Sequence, residues 1–170
     1  MILTFKELTR DNFKDYQDYI LLYEQIYPEK IRSSQEDYIE MLLDDESIAL
    51  VLEVDSRYAG SILGCPLEEE DRKLFNINIP LENTKVIYLY NIIIAPEYQG
   101  KGLGYGLLKE FIRVVKEKGY YVLVGHFRPN GSATLIKKFG GEVKQVWSNW
   151  EDSGEDYLYC ELDLKSVAVT

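Results

Sequence analysis

The sequence has few of the residues that build metal and redox centres. It contains two cysteines, Cys65 and Cys160, and one histidine, His126. The two cysteines form no metal-ligand or redox motif, and this usage is typical of proteins in a reducing compartment. We therefore expect no bound metal ion and a cytoplasmic location.

Basic residues and long apolar runs are also scarce. The 19 Lys and Arg residues face 29 Asp and Glu residues, which gives a formal net charge of −10. Such a charge opposes binding to the nucleic acid backbone. No uncharged apolar run is long enough to cross a bilayer, and the first residues lack the basic and apolar segments of a signal peptide. We expect neither a nucleic acid partner nor a membrane partner.

The acidic excess has two interpretations. Acidic runs at residues 68–71 and 151–156 both fall in predicted loops. These runs either only keep the protein soluble or favour a cationic substrate. The sequence leaves both alternatives open.

The remaining composition indicates one folded domain of the α/β class. Hydrophobic residues make up 46% of the chain and aromatic residues 13%, which argues against disorder. A chain of 170 residues is long enough to bury a core of its own. Because no repeat or linker divides it, we expect a single domain over residues 1–170 with a mixed sheet.

Apolar periodicity predicts the order of the strands and helices. Strands are predicted at residues 2–8, 47–54, 58–64, 85–95, 120–127, 142–149 and 157–164. Helices are predicted at residues 11–27, 103–119 and 131–139, together with a short helix that begins at a capping box of Ser33 and Glu36. Residues 65–84 are predicted to form a long loop, with residues 75–79 as a candidate strand.

The most informative segment is Gln99-Gly100-Lys101-Gly102-Leu103-Gly104, hereafter the glycine turn. It joins a buried strand to an amphipathic helix, where unpaired N–H groups and the helix dipole favour a phosphate group. It is not a P-loop, because no Gly-Lys-Ser/Thr follows, and Leu107 stands where a dinucleotide fingerprint needs its third glycine. The alternative is that the glycines only provide the positive φ of a tight connection.

Residues 91–104 closely resemble the cofactor-binding motif of the GNAT superfamily of N-acetyltransferases. The residues that carry the match are Ile94, Pro96, Tyr98, Gln99, Gly102 and Gly104. The order of helices and strands is also similar over nearly the whole chain, and residues 65–84 and the far C-terminus are the least family-like parts. The resemblance implies about four helices around a mostly antiparallel sheet, in which one parallel pair of strands splays apart around the cofactor.

The resemblance implies acetyl-CoA as the cofactor, with its pyrophosphate on the backbone of the glycine turn. The implied contacts are Ile92, Ile93, Ile94, Gln99, Gly100, Lys101, Gly102, Leu103, Gly104, Tyr105 and Asn130. Residues 92–94 would pair with the pantetheine arm, and an amide near Ile92 would stabilise the oxyanion. Gly102 and Gly104 would let the phosphates approach closely, and Asn130 would contact the pantetheine. Lys101 either lies near a phosphate or is a solvated surface lysine.

The resemblance leaves the catalytic groups open. Many family members have a tyrosine acid in the short helix that precedes Gly140, and Ile136 occupies that position here. His126, at the carboxyl end of a predicted strand, is a candidate general base, and the alternative is a structural histidine. Tyr88 is a candidate acid or water-holding residue, and the alternative is a core aromatic residue.

The implied activity is N-acetyltransfer. The acetyl group would pass from acetyl-CoA to a primary amine, of a cationic small molecule or a peptide, by direct transfer in a ternary complex. Because the usual tyrosine is absent, a catalytically silent acyl-CoA-binding module is the alternative, and a different nucleotide-binding domain is a third. By analogy, the exposed edge of the C-terminal hairpin could pair two chains into a homodimer.

Overall fold

Seven strands and five helices make up the regular structure of residues 1–169, the part of the chain that the computed structural model describes. The strands are β1 (Leu3–Glu7), β2 (Ile48–Val54), β3 (Arg57–Pro66), β4 (Val86–Ile94), β5 (Val122–Phe127), β6 (Glu142–Trp147) and β7 (Tyr157–Asp163). The helices are α1 (Phe13–Tyr23), α2 (Gln35–Leu43), α3 (Glu69–Leu74), α4 (Leu103–Glu117) and α5 (Ser132–Lys138).

The strands form one mixed sheet in the order β1-β2-β3-β4-β5-β7-β6. All neighbours are antiparallel except β4 and β5, which run parallel and are joined through α4. This arrangement confirms the predicted α/β class and the mostly antiparallel sheet with one parallel pair. Because β7 lies between β5 and β6, the edge of the C-terminal hairpin is β6.

The two faces of the sheet are covered by different helices. On one face α4 buries a stripe of apolar residues at helical spacing: Leu103, Leu107, Leu108, Phe111, Ile112 and Val115. Burying each of these side chains contributes about 1.5–3 kcal/mol. On the other face Phe13, Ile20 and Tyr38 from α1 and α2 pack against Val51 and Leu63. Within residues 1–169, no helix combines the length and the apolar character needed to cross a membrane.

The connection between α1 and α2 differs from the prediction. The first helix ends at Tyr23, and two short 3-10 turns, Glu24–Ile26 and Glu29–Ile31, replace its predicted last turn. The predicted capping box of Ser33 and Glu36 is wrong, because the box is formed by Ser34 and Asp37.

The Ser34 hydroxyl accepts from the Asp37 N–H at 3.2 Å, and the Asp37 carboxylate accepts from the Ser34 N–H at 2.7 Å. The Ser33 N–H instead donates to the carboxylate of Glu24 at 3.1 Å. Because Ser34 caps α2 in place of Ser33, the Ser33 N–H binds the Glu24 carboxylate at the start of this helix.

The segment between β3 and β4 is not the predicted long loop. It contains α3, and residues 75–79 form no strand. Acidic residues fill the first turn of α3 while Arg72 and Lys73 occupy its last turn, which matches the helix dipole. Phe75 and Ile79 pack against Tyr88 on the α1 face of the sheet and do not pair with another strand.

Candidate functional site

A gap between β4 and β5 lies at the centre of the sheet. The parallel pairing of these strands stops after Tyr88 and Val124, although β5 continues to pair with β7 as far as Phe127. The register of β4 against β3 shifts at the same level, so that Tyr90 has no partner between Leu89 and Asn91. Beyond this bulge, no strand of residues 1–169 pairs with the edge of β4 that faces β5, and we call this region the strand gap.

Ile92 and Ile94 turn their backbone groups toward the strand gap. The Tyr27 hydroxyl donates to the Ile92 carbonyl at 2.9 Å, and the Gln99 side-chain amide donates to the Ile94 carbonyl at 2.9 Å. The N–H and C=O of one antiparallel residue point to the same edge, so the N–H groups of Ile92 and Ile94 also face the gap. Ile93 alternates with them and directs its backbone toward Ser61 of β3.

The glycine turn presents a row of unpaired N–H groups at the start of α4. Within residues 1–169, none of the six N–H groups of residues 100–105 has a hydrogen-bond acceptor. Gly100 and Gly102 have φ of +76° and +77°, and a Cβ at either position would meet no atom within 4 Å. Both glycines are therefore needed for their backbone conformation and not because a side chain would clash.

The other predicted cofactor residues of this region have distinct surroundings. A Cβ on Gly104 would lie 3.1 Å from Leu135, so Gly104 also serves the packing of α4 on α5; its predicted role in giving space to the phosphates stays a prediction. Lys101 is exposed, with its ammonium group 5.8 Å from the centre of the Tyr98 ring. Tyr105 stacks on Phe139 at 4.6 Å.

The remaining predicted cofactor residues also lie in this part of the molecule. Leu103 is buried in the core beneath the turn. Asn130 is exposed in the turn between β5 and α5.

A cavity of about 690 Å³ leads from the α2 and α3 side of the sheet to the strand gap. Its lining includes Ile92, Phe127 and Ser132, so the cavity reaches the strand gap. Seven carboxylates line it, against two basic residues, Lys30 and Arg32. The carboxylates are Glu24, Asp37, Glu40, Asp44, Glu68, Asp71 and Glu151. Both acidic runs of the sequence thus contribute to one negatively charged cavity.

The structure brings His126 and Tyr88 together in the wall of this cavity. The Tyr88 hydroxyl lies 2.6 Å from His126 Nδ1, and the imidazole stacks on Trp150 at 3.8 Å. Burial lowers the pKa of His126 to about 3 and raises the pKa of Tyr88 above its ordinary value. His126 is therefore neutral at physiological pH, and Nε2 has no hydrogen-bond partner among residues 1–169. The catalytic roles of both residues stay predictions.

A group of buried polar residues beside the cavity was missed by the sequence analysis. Glu24, Tyr38 and Asn91, hereafter the Glu24 cluster, are all buried. The Tyr38 hydroxyl donates to Glu24 Oε1 at 2.5 Å, and the Asn91 amide donates to the same oxygen at 3.1 Å and to the Tyr38 oxygen at 2.7 Å. Burial raises the pKa of Glu24, and its hydrogen bonds from Tyr38, Ser33 and Asn91 oppose that shift.

The sequence offered no signal for this cluster. Glu24 and Asn91 are 67 positions apart, and nothing in either local pattern relates them. The three residues meet because the turn after α1 crosses β4 next to its bulge.

A comparison with known sequences identifies the family of this chain. The model of the acetyltransferase (GNAT) family matches residues 7–140, which include β4, the glycine turn and α5. The chain therefore belongs to the acetyltransferase (GNAT) family, and the predicted resemblance is confirmed. The family is one of acetyltransferases.

Individual relatives are distant in sequence and similar in fold. An uncharacterized N-acetyltransferase from Methanocaldococcus jannaschii is 23% identical over 154 residues, which cover 86% of this chain and 64% of that protein. The mosquito arylalkylamine N-acetyltransferase like 5b superposes with a TM-score of 0.74 at 12% identity, over 95% of this chain and 100% of that one. The NatC complex bound to Gag peptide and CoA gives 0.73 at 15% identity, over 96% and 99%.

Proposed function

We propose that residues 1–170 act as one cytoplasmic domain that transfers an acetyl group from acetyl-CoA to a primary amine of a cationic small molecule or peptide. The observation that carries this proposal is the meeting of three features at one point. Unpaired N–H groups precede α4, the edge of β4 is open, and an acidic cavity ends at that edge. A donor and an acceptor could therefore approach the same place from two sides of the sheet.

The cofactor side is suited to CoA. The N–H groups of residues 100–105 are unpaired donors for a diphosphate, and Lys101 adds a nearby positive charge. The backbone of Ile92 and Ile94 offers hydrogen bonds to the amides of the pantetheine arm. In this assignment Gln99 orients the turn through its bond to Ile94, Tyr105 flanks it, and Asn130 lies at the end of β5 where it contacts the arm. The CoA in the related NatC structure supports the choice of cofactor.

The acceptor side is suited to a cation. Seven carboxylates and two basic residues line the cavity, and the ring of Phe75 stacks on Tyr88 in its wall at 5.6 Å. Carboxylates and aromatic faces are the groups that attract ammonium ions in proteins. The arylalkylamine acetyltransferase among the structural neighbours supports an amine as the acceptor class.

The proposed chemistry is a direct attack on the thioester. The lone pair of the neutral amine bonds to the thioester carbon, and the Ile92 N–H stabilises the oxyanion. The nitrogen then loses one proton to water, the C–S bond breaks, and the CoA thiolate that leaves takes up one proton from water. Because the pKa of His126 is about 3, its neutral imidazole does not take up a further proton at physiological pH. We therefore assign His126 and Tyr88 to orienting the amine or a water molecule, with the unpartnered Nε2 of His126 as the contact atom.

The surroundings of the two cysteines disfavour a mechanism in which the acetyl group is first transferred to a cysteine. Cys65 lines the cavity, but burial raises the pKa of its thiol, and Cys160 is fully buried. A thiol without thiolate character is a poor nucleophile. Direct transfer predicts double-reciprocal plots of the initial rate whose lines intersect when both substrate concentrations are varied. An acetyl-enzyme would give parallel lines.

The activity is tested by following thiol release from acetyl-CoA with a panel of amines: 1,4-diaminobutane, spermidine, 2-phenylethylamine and a short peptide with a free N-terminus. We expect thiol release that depends on one of these amines, with the acetylated product identified by mass spectrometry. The N,N-dimethyl analogue of the active amine keeps the charge but lacks a transferable N–H, and it should give no product. Thermal stabilisation by acetyl-CoA without product from any amine would instead favour a silent binding module.

A further inference from the structure

The Glu24 cluster contains a buried negative charge without a positive partner. Glu24 is 3% exposed, and none of the eight ion pairs formed within residues 1–169 includes it. Its carboxylate accepts from the Tyr38 hydroxyl, the Asn91 amide and the Ser33 N–H, which leaves one of about four acceptor positions free. A buried carboxylate is costly unless it is paired as well as hydrogen-bonded.

Asn91 places a second unsatisfied polar group next to Glu24, the oxygen of its side-chain amide. Its side chain is 8% exposed, and Oδ1 has no hydrogen-bond partner among residues 1–169. The orientation of the amide is set by its neighbours, because the Tyr38 hydroxyl already donates to Glu24 and both oxygens need a donor from Asn91. Oδ1 is therefore an acceptor that lacks its donor.

Both side chains line the acidic cavity, and Asn91 immediately precedes Ile92, whose N–H faces the strand gap. A group that donates to Asn91 Oδ1 and carries positive charge for Glu24 would satisfy both requirements. A primary ammonium group has three N–H donors on one compact charge. Because the site adjoins Ile92, the group that it holds is next to the proposed oxyanion donor.

We propose that Glu24 and Asn91 form the binding site for the reacting amino group of the acceptor, which enters as an ammonium ion. Glu24 provides the counter-charge and Asn91 Oδ1 accepts one N–H, so that the nitrogen is held beside the thioester carbon. The bound ammonium ion loses one proton to water before its nitrogen attacks. Tyr38 is a positioning residue that fixes the Glu24 carboxylate. This inference rests on the proposed function, and it adds the residues that select a primary amine.

The test compares two carboxylate variants. Glu24→Gln removes the charge with little change of shape, and Glu36→Gln makes the same change at an exposed position of α2 that does not line the cavity. We expect Glu24→Gln to raise the KM of the active amine by about tenfold or more, and Glu36→Gln to leave it within about twofold. Glu24→Asp, which keeps the carboxylate, should recover part of the loss. Asn91→Ala should also raise the KM of the amine.

Folding and cofactor binding are checked separately from acceptor binding. The affinity of each variant for CoA, measured by calorimetry, should match that of the wild type, because the Glu24 cluster lies outside the glycine turn. A variant that fails to bind CoA has lost more than the amine site, and Glu24→Asp then provides the comparison. Binding of the amine panel to the protein without acetyl-CoA is measured in the same way.

The outcomes separate the two proposals. If the wild type acetylates an amine and the KM values of Glu24→Gln and Asn91→Ala stay within about twofold, the ammonium site is wrong and the proposed function stands. If no amine is acetylated but an amine binds in a manner that depends on Glu24, the proposed function fails and the site stands. If no amine is acetylated or bound, both are wrong.

Discussion

Replacing His126 by asparagine should change how the stability of the protein depends on pH. The imidazole has an ordinary pKa of 6.5, and burial lowers this value to about 3 in the folded protein. Between these two values the unfolded chain binds a proton that the folded chain excludes, so the free energy of unfolding falls as the pH falls. Between about pH 8 and about pH 5 this single group should remove about 2 kcal/mol.

Asparagine keeps a polar group near the position of Nδ1, where the Tyr88 hydroxyl can still find a partner, but it cannot be protonated. The assay is urea unfolding of the wild type and His126→Asn at both pH values. The variant loses the stacking on Trp150 and is therefore less stable at each pH. The quantity compared between the two proteins is the change in the free energy of unfolding from one pH to the other. Equal changes in the two proteins would refute the burial of a neutral imidazole in the cavity wall.

Other predictions concern the capping box, β3 and the charge of the cavity. Ser34→Ala should lower the free energy of unfolding by about 1 kcal/mol and Ser33→Ala by less than about 0.5 kcal/mol in urea titrations, and equal losses would contradict the observed box. Gly60→Ala places a Cβ 2.5 Å from the Ile93 carbonyl oxygen and should cost about 1–3 kcal/mol, whereas Gly106→Ala, with no atom within 4 Å, should not destabilise the protein. Raising the salt from about 50 mM to about 500 mM should increase the KM of a cationic amine severalfold, and a KM independent of salt would argue against the acidic cavity as its site.

The elements that sequence reasoning predicted well are those with a local signal. The stripe of leucines in α4 repeats at helical spacing, and its start is marked by Gly100 and Gly102, whose positive φ values the structure confirms. The strand before this turn is continuously apolar, which indicates a buried strand. Each of these signals lies within about 20 residues and needs no knowledge of the rest of the fold.

The errors occurred where two local signals compete. Ser33 and Ser34 both precede an acidic residue at the correct distance, since Glu36 and Asp37 are adjacent, and only tertiary contacts select Ser34. The Ser33 N–H is already used by Glu24, which belongs to another element. Helix α3 is short and acidic, so its composition is also that of a solvated loop.

The site could be predicted only in part because its acceptor half is non-local. The glycine turn is contiguous in sequence, whereas the contact of Tyr88 with His126 depends on the parallel register of β4 and β5. The Glu24 cluster depends in addition on the path of the turn after α1, which no sequence pattern fixes. Residues that meet across such distances become visible only when the sheet order is known.

Calorimetric titration with CoA of the wild type, Gly102→Val and Gly119→Val tests the cofactor site most directly. Gly119 has φ of +87° and open space around it, so valine imposes a similar backbone strain there as at Gly102. The two glycines flank α4, whose 15 residues span about 22 Å, and only Gly102 lies in the glycine turn. We expect the wild type and Gly119→Val to bind CoA alike, and Gly102→Val to lose the binding. Absence of heat with the folded wild type at about millimolar CoA, or equal affinity in all three proteins, would contradict a diphosphate site on these N–H groups.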